Sequence, residues 1–304
     1  MRIHRARLVA SAALVLALLA GACGSSGKSS SSSTTTQKKE AITLAGLNFS
    51  ESSILTDIYG KALQAKGYTV TFKANLGSRE VVEPALLNGE VDAYPTYAAT
   101  ELTFLKGTAT PDVQQTVTAL RDAYAPKGVS VLDASPALDA NAYAVTKATA
   151  DRYHLTKMSD LAAVASQLTL GGPPECPIRP FCQPGLEKTY GLKFKSFKAL
   201  DAGGPLSKAA LSNGDVDVAL IFSSDGAVQA RNFVILQDDK HLQDADNVVP
   251  IIRTPKLTNE IKDLWNSISA KLTTADLVSM NKSADIDKAD PDVLAATWLK
   301  DHGF

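Results

Sequence analysis

An α/β fold in two lobes is what this sequence predicts, on three observations. Strand and helix patterns alternate through residues 42–94, a helix–Asn-Gly–strand junction met there returns around residue 214, and residues 41–304 give length enough for two such units. Strands that alternate with helices run parallel and are joined by crossovers, so each lobe should be a sheet covered by helices.

Ile42-Thr43-Leu44 opens the first strand. Ser50 or Ser52 can cap the next segment, where Ile54, Leu55, Ile58, Tyr59 and Leu63 recur at helical spacing until Gly67 stops it. Residues 68–72 alternate as a strand does. Ser78 can cap a second helix holding Val81, Val82, Ala85 and Leu86, Asn88-Gly89 ends it, and residues 91–94 read as the third strand. This junction, Leu86-Leu-Asn-Gly-Glu-Val-Asp-Ala-Tyr94, has a counterpart in Leu211-Ser-Asn-Gly-Asp-Val-Asp-Val-Ala219. A short polar run comes after each: Thr96-Tyr97-Ala-Ala-Thr100 and Ser223-Ser224-Asp225-Gly226. Coincidence is the plain alternative, since helix–glycine–strand junctions are common. Ligands of open α/β sheets sit beyond the carboxyl ends of strands, near helix N-termini, so two such runs suit one cleft shared by two lobes. The tail reads as helices over 259–275 and 287–299; Trp265 and Trp298 fall there and are expected to pack helices onto a lobe.

The ends carry targeting signals. Arg2, Arg5 and Arg7 precede an apolar run over 8–20, too short for a membrane span, which has the layout of a secretory signal peptide over residues 1–22. Small residues before Cys23 resemble a bacterial lipobox, so Cys23 is expected to be lipidated; ordinary cleavage with Cys23 incidental is the alternative. Residues 23–40 are mostly Ser, Thr and Gly, bury nothing, and read as a tether. Cys176 and Cys182 remain, and in an exported chain a local disulfide is expected; a metal site would lack histidines nearby. With 31 basic and 32 acidic residues, three of the basic ones in the leader, the rest is acidic and no nucleic-acid partner is expected. No Gly-x-Ser-x-Gly, His-Glu-x-x-His or phosphate-loop motif occurs, so no enzyme, catalytic residue, metal or cofactor is expected.

Longer motifs point to a family. Asn48-Phe-Ser-Glu51, Asn75-Leu-Gly-Ser-Arg-Glu-Val-Val82, Pro84-Ala-Leu-Leu-Asn-Gly-Glu-Val-Asp-Ala-Tyr-Pro95, Tyr97-Ala-Ala-Thr100, Ala140-Asn-Ala-Tyr-Ala-Val145, Pro184-Gly-Leu-Glu-Lys-Thr-Tyr-Gly-Leu192, Asn213-Gly-Asp-Val-Asp217 and Asp238-Asp-Lys-His241 succeed one another along the chain. Across residues 41–304 the chain resembles the substrate-binding proteins of glycine betaine/choline/carnitine (osmoprotectant) ABC transporters. The resemblance implies a two-lobed periplasmic-binding-protein-like fold (type II, Venus-flytrap) with two hinge crossings, expected near 141–145 and 236–243. Lobe I would be 41–142 plus 243–304, and lobe II 143–242. It also implies a monomer on the outer face of the cell membrane, held by its N-terminal lipid, that closes on a small molecule and serves an ABC permease and its ATPase.

Such relatives hold a trimethylammonium group in a box of aromatic rings. A quaternary ammonium has no N–H to donate, so ring faces select it. By resemblance Tyr97 is a box tyrosine and Thr100 its polar neighbour, while Asn48, Ser78, Asn141, Tyr143 and Asp225 face the cleft. Ser52, Tyr94 and Ser223 complete the candidate ligand-binding set, though Tyr94 equally suits a core position. The chain departs from the pattern at Ser52, where relatives carry glutamine, at Ser207-Lys208, where they often have a tyrosine, and at Leu242-Gln-Asp-Ala-Asp-Asn247, where they are rich in aromatics. The second-lobe half of the box is therefore expected to be depleted, with Asp244, Asp246 or Asn247 either substituting for rings or lying in solvent. Arg179 in the cysteine loop either reaches the cleft or faces solvent, and solvent is the expectation. A polar or aromatic solute in the same transport role, or a sensory role, is the alternative.

Overall fold

The computed structural model describes residues 39–304 except Gln229. The leader, Cys23 and the tether up to residue 38 lie outside them. The first run of elements is β1 (Ile42–Leu47), α1 (Ser50–Ala65), β2 (Val70–Gly77), α2 (Arg79–Asn88), β3 (Ala93–Tyr97), α3 (Ala98–Phe104), α4 (Val113–Tyr124) and β4 (Val129–Val131). The second is β5 (Asn141–Thr146), α5 (Lys147–Tyr153), β6 (Thr169–Gly172), α6 (Gln183–Tyr190), β7 (Ser196–Ala199), α7 (Pro205–Asn213), β8 (Val218–Phe222) and β9 (Phe233–Leu236). The chain then returns through β10 (Val248–Arg253), α8 (Asn259–Ser269), α9 (Thr274–Asp285) and α10 (Pro291–Asp301). Two five-stranded sheets result, ordered β2-β1-β3-β10-β4 and β7-β6-β8-β5-β9. In each, three strands are parallel and the strand made by the crossing chain, β10 or β5, is antiparallel to its central neighbour.

The repeated junction is the same structure twice. Gly89 and Gly214 close α2 and α7 in the left-handed region, at φ 85° and 76°, where a side chain would strain the backbone. The next aspartate accepts a hydrogen bond from the neighbouring strand: Thr43 N to Asp92 at 2.9 Å in one sheet, Thr169 N to Asp217 at 2.8 Å in the other. The shared Val-Asp is thus a device that registers the central strand against its neighbour.

Strands β1 and β3 pack with α1 and the returning helices α8–α10 around one core, centred on Ile54, Tyr59 and Trp265. Both tryptophans serve packing: Trp265 Nε1 donates to Tyr59 O at 3.2 Å, and Trp298 stacks on His302. Three helices build the tail where the sequence suggested two. A break after Ala270 is succeeded by a capping box, Thr273 with Asp276, which starts α9.

The two crossings lie side by side. Leu138 bridges Asn247 in antiparallel fashion, and Asp139 N donates to Asp246 O at 3.1 Å. The chain leaves the first sheet at 138–140, slightly ahead of the expected position; 141–145 is already β5, a strand of the second sheet buried continuously over residues 142–145. A disulfide joins Cys176 and Cys182 at the end of the loop after β6. Among the described residues no helix is long and apolar enough to cross a membrane.

Candidate functional site

The carboxyl ends of β1, β3 and β8 and both crossings converge on a cavity of about 610 Å³, its open mouth included. Phe49 comes directly after β1, Ser78 caps α2, Tyr97 ends β3, Thr100 lies in the first turn of α3, and Phe222 ends β8. Asp139 and Asp246 come from the crossings, and Glu175 and Arg179 from the disulfide-closed loop.

Three rings form one wall. Phe49 stands 6.0 Å from Tyr97 and 5.1 Å from Phe222, centroid to centroid, so the contact spans both sheets. Opposite charge lies close by, on buried carboxylates. Each junction ends by giving a backbone N–H to an aspartate of a crossing: Thr100 N to Asp246 Oδ1 at 2.8 Å, and Ser224 N to Asp139 Oδ1 at 3.0 Å. The Thr100 hydroxyl also donates to Asp246, and that of Ser223 to Asp139 at 3.4 Å. Behind them Glu51 accepts from Tyr97 Oη at 2.6 Å, Ser224 Oγ at 2.6 Å and Asn281 Nδ2 at 2.5 Å.

Burial pushes Asp246 up to about 6 despite the Thr100 hydrogen bonds. It likewise raises Glu51, and Asp139 well above the usual carboxylate range, the neighbouring Glu51 pushing Asp139 further in the same direction. No lysine or arginine forms an ion pair with any of the three among the described residues. Charge buried without a partner is costly, so these carboxyls either stay protonated or meet a cation that enters.

The two arginines on the cavity are already engaged. Arg79 donates to Glu101 at 2.7 Å and to Thr96 at 3.3 Å, within a buried cluster that Tyr94 and Tyr124 complete. Arg179 holds Glu80 and Glu175. Asn48, Ser78 and Asn141 add neutral polar groups.

Of the residues singled out in the sequence, Asn48, Ser78, Tyr97, Thr100 and Asn141 line this cavity together. The others lie elsewhere. Ser52 is fully buried and its Oγ accepts from Leu47 N at 2.8 Å, fixing the β1–α1 turn. Tyr94 lies beneath the cavity with its hydroxyl on Glu101. Tyr143 points into the second sheet's core and donates to Phe181 O at 3.0 Å. Ser223 supports Asp139 and accepts from Ala140 N. Asp225 pairs with buried Lys208 and faces a neighbouring cavity.

Sequence reasoning missed Phe49, Asp139 and Phe222. Phe49 was visible inside its motif, and Phe222 closes the repeated strand at the place Tyr97 occupies in the first. Phe222 restores a ring on the second-lobe side, where depletion was expected. Asp246 turns inward and is buried, whereas Asn247 is spent on Ser135 O at 2.9 Å. Arg179 reaches the cleft instead of solvent, because the disulfide folds its loop back over the cavity.

Residues 40–301 match the family model described as the substrate binding domain of ABC-type glycine betaine transport systems. The chain is 27% identical over 273 residues to the carnitine transport binding protein OpuCC of Listeria monocytogenes, covering 88% of each. It is 26% identical over 273 residues to the glycine betaine-binding protein YehZ of Escherichia coli, covering 84% of this chain and 88% of that one. A solved structure described as a glycine betaine/carnitine/choline ABC transporter is 29% identical, with a TM-score of 0.68 over 86% of this chain and 98% of its own. The two-lobed α/β architecture is shared with it.

Proposed function

The chain belongs to the family of substrate-binding domains of ABC-type glycine betaine transport systems, and on that premise we propose that it captures a quaternary amine of the glycine betaine or choline type in the cavity between its sheets and delivers it to an ABC permease and its ATPase. One observation carries this reading: Phe49, Tyr97 and Phe222 face a cavity whose buried aspartates, Asp139 and Asp246, form no ion pair among the described residues, its two arginines being engaged by Glu101, Glu80 and Glu175. Ring faces attract a cation that has no N–H to donate, and the carboxylates add charge without requiring one. Asn48, Ser78 and Asn141 would take the ligand's polar end.

In this reading residues 1–22 are removed, Cys23 is lipidated, and the tether holds a monomeric binder at the outer face of the membrane. The first sheet with α1–α4 and α8–α10 forms one jaw and the second sheet with α5–α7 the other, with the pivot at the paired crossings near 138–140 and 246–247.

A thermal-shift panel tests it. Glycine betaine, choline or carnitine at about 100 times its Kd should add roughly 2.7 kcal/mol, several degrees in Tm, while proline, ectoine, sugars and aromatic acids leave Tm unchanged. A shift only with one of the latter compounds would keep the transport role and overturn the quaternary-amine ligand.

A further inference from the structure

Glu80 and Arg179 meet across the cleft. Glu80 is in the first turn of α2, on the side of the first sheet, and Arg179 is in the loop that Cys176 and Cys182 close. The guanidinium is bidentate, with Nε to Oε1 at 3.2 Å and Nη2 to Oε2 at 2.8 Å; Ser78 Oγ supports Oε2 at 2.7 Å and Glu175 holds Arg179 from behind at 3.0 Å. Arg179 lines both the ring-walled cavity and an outer vestibule bounded by Phe104, Ile178 and Phe181. With Arg79, Thr100 and Asn141 it makes the wall the two share, and of these Arg179 alone comes from the disulfide-closed loop.

The far side of the cavity is closed differently. There the Phe49–Phe222 contact is the partition, and beyond it Lys208 binds Asp225 at 3.0 Å and Asp285 at 2.5 Å. Lys208 and Asp225 are each 4% exposed, whereas Arg179 and Glu80 are 24% and 34% exposed. Separating charges that water cannot reach is strongly unfavourable; separating a half-wetted pair is cheap, because water takes over the hydrogen bonds.

We propose that the Glu80–Arg179 clasp is the door of the ligand cavity: solute enters and leaves past Arg179, and the disulfide-closed loop carries the side chain that shuts it. Burial alone would raise Glu80, but the hydrogen bonds from Arg179 and Ser78 bring it down to about 2, so the clasp stays charged throughout the neutral range.

The proposal rests on this cavity being the ligand site, so its test has an arm without ligand. Spin labels on Asp122 of α4 and Lys188 of α6, both exposed, report the separation of the two sheets by double electron–electron resonance in the full chain. Glu80→Gln and Arg179→Gln should each enlarge the long-distance population of the unliganded protein about threefold to tenfold, Arg179→Lys less, and high salt should mimic them. In stopped flow with choline as probe, association and dissociation should both accelerate in the variants. Unchanged distance distributions in both glutamine variants overturn the door, whether or not choline binds. Failure of choline to bind the unaltered chain counts against the quaternary-amine reading alone.

Discussion

The two repeated junctions, α2–Gly89–β3 and α7–Gly214–β8, share a scaffold and differ in the residues just beyond it. Both hold the neighbouring strand through an aspartate, and both end by giving a backbone N–H to a crossing aspartate. After that they part. The first runs straight into α3 and presents Tyr97 and Thr100; the second ends in Phe222 and an irregular turn, Ser223 to Gly226, which abuts α9. The duplicated part is what a parallel sheet needs, and the divergent part is what lines the cavity.

The largest effect expected is electrostatic and falls on the first junction's partner. Asp246 titrates in the fold at about 6 against an ordinary 3.8, so the folded state holds its proton more tightly than the unfolded chain. Its contribution is present below about pH 4 and is lost as pH rises through about 6, at about 1.4 kcal/mol per unit or roughly 3 kcal/mol in all. Unliganded Tm should fall across that window, and Asp246→Asn should flatten the fall. Asp139, the second junction's partner, is shifted in the same direction, so Asp139→Asn should flatten it as well. A Tm profile in Asp246→Asn as steep as in the unaltered protein would remove Asp246 from this account.

Gly226 tests the second turn. A Cβ there would lie 2.5 Å from Lys282 Cβ and 2.6 Å from Val278 O, so Gly226→Ala should hold the turn off α9. Overpacking of this kind costs about 1–3 kcal/mol. If it acts on closure, calorimetry should show weaker ligand binding with the melting of the unliganded protein little changed; a fall in Tm without loss of affinity would assign the contact to stability alone.

The rings come next. Tyr97→Ala and Phe222→Ala should each weaken a quaternary amine by about 1–2 kcal/mol, the scale of a desolvated cation–π contact. Tyr97 should cost more, since its hydroxyl also holds Glu51. Equal losses would make the wall symmetric, and no loss in Phe222→Ala would leave recognition to the first junction. Smallest is the scaffold itself: Asp217→Ala should destabilise by about 1 kcal/mol in urea melts, the worth of one strand-registering hydrogen bond, and Asp92→Ala by slightly more, because Asp92 also pairs with Arg253 at 3.4 Å. No loss in either variant would show that the duplication is one of sequence only.

What could be read in the sequence was what is local. Caps such as Ser78, C-terminal glycines, and the recurrence of Asn-Gly with Val-Asp are set by backbone geometry within a few residues, and they delivered both sheets' central strands. Tyr97 and Thr100 came with a motif. Phe222 looked like any apolar residue ending a strand, because its exposure to the cavity depends on where β8 meets the other sheet. Asp139 and Asp246 are single acids in irregular chain, and only the side-by-side crossings bury them. Tyr143 failed for the converse reason: it shares Asn141's face of β5 but lies one step further along the strand, where the second sheet's core encloses its ring and Phe181 O takes its hydroxyl.

The paired crossings have a mechanical consequence. When one body turns against another, displacement grows with distance from the axis and vanishes on it. Asp139 and Asp246 sit on the segments about which the sheets would turn, joined by their own backbone hydrogen bond, whereas Glu80 and Arg179 belong to elements that hang from either side. Swinging the sheets apart would part the clasp while leaving the spacing of the two aspartates almost untouched. The proposed cationic ligand would find both carboxyls already placed at the axle, ready to give up their protons as it arrives, and the rest of the cavity would be built around it afterwards.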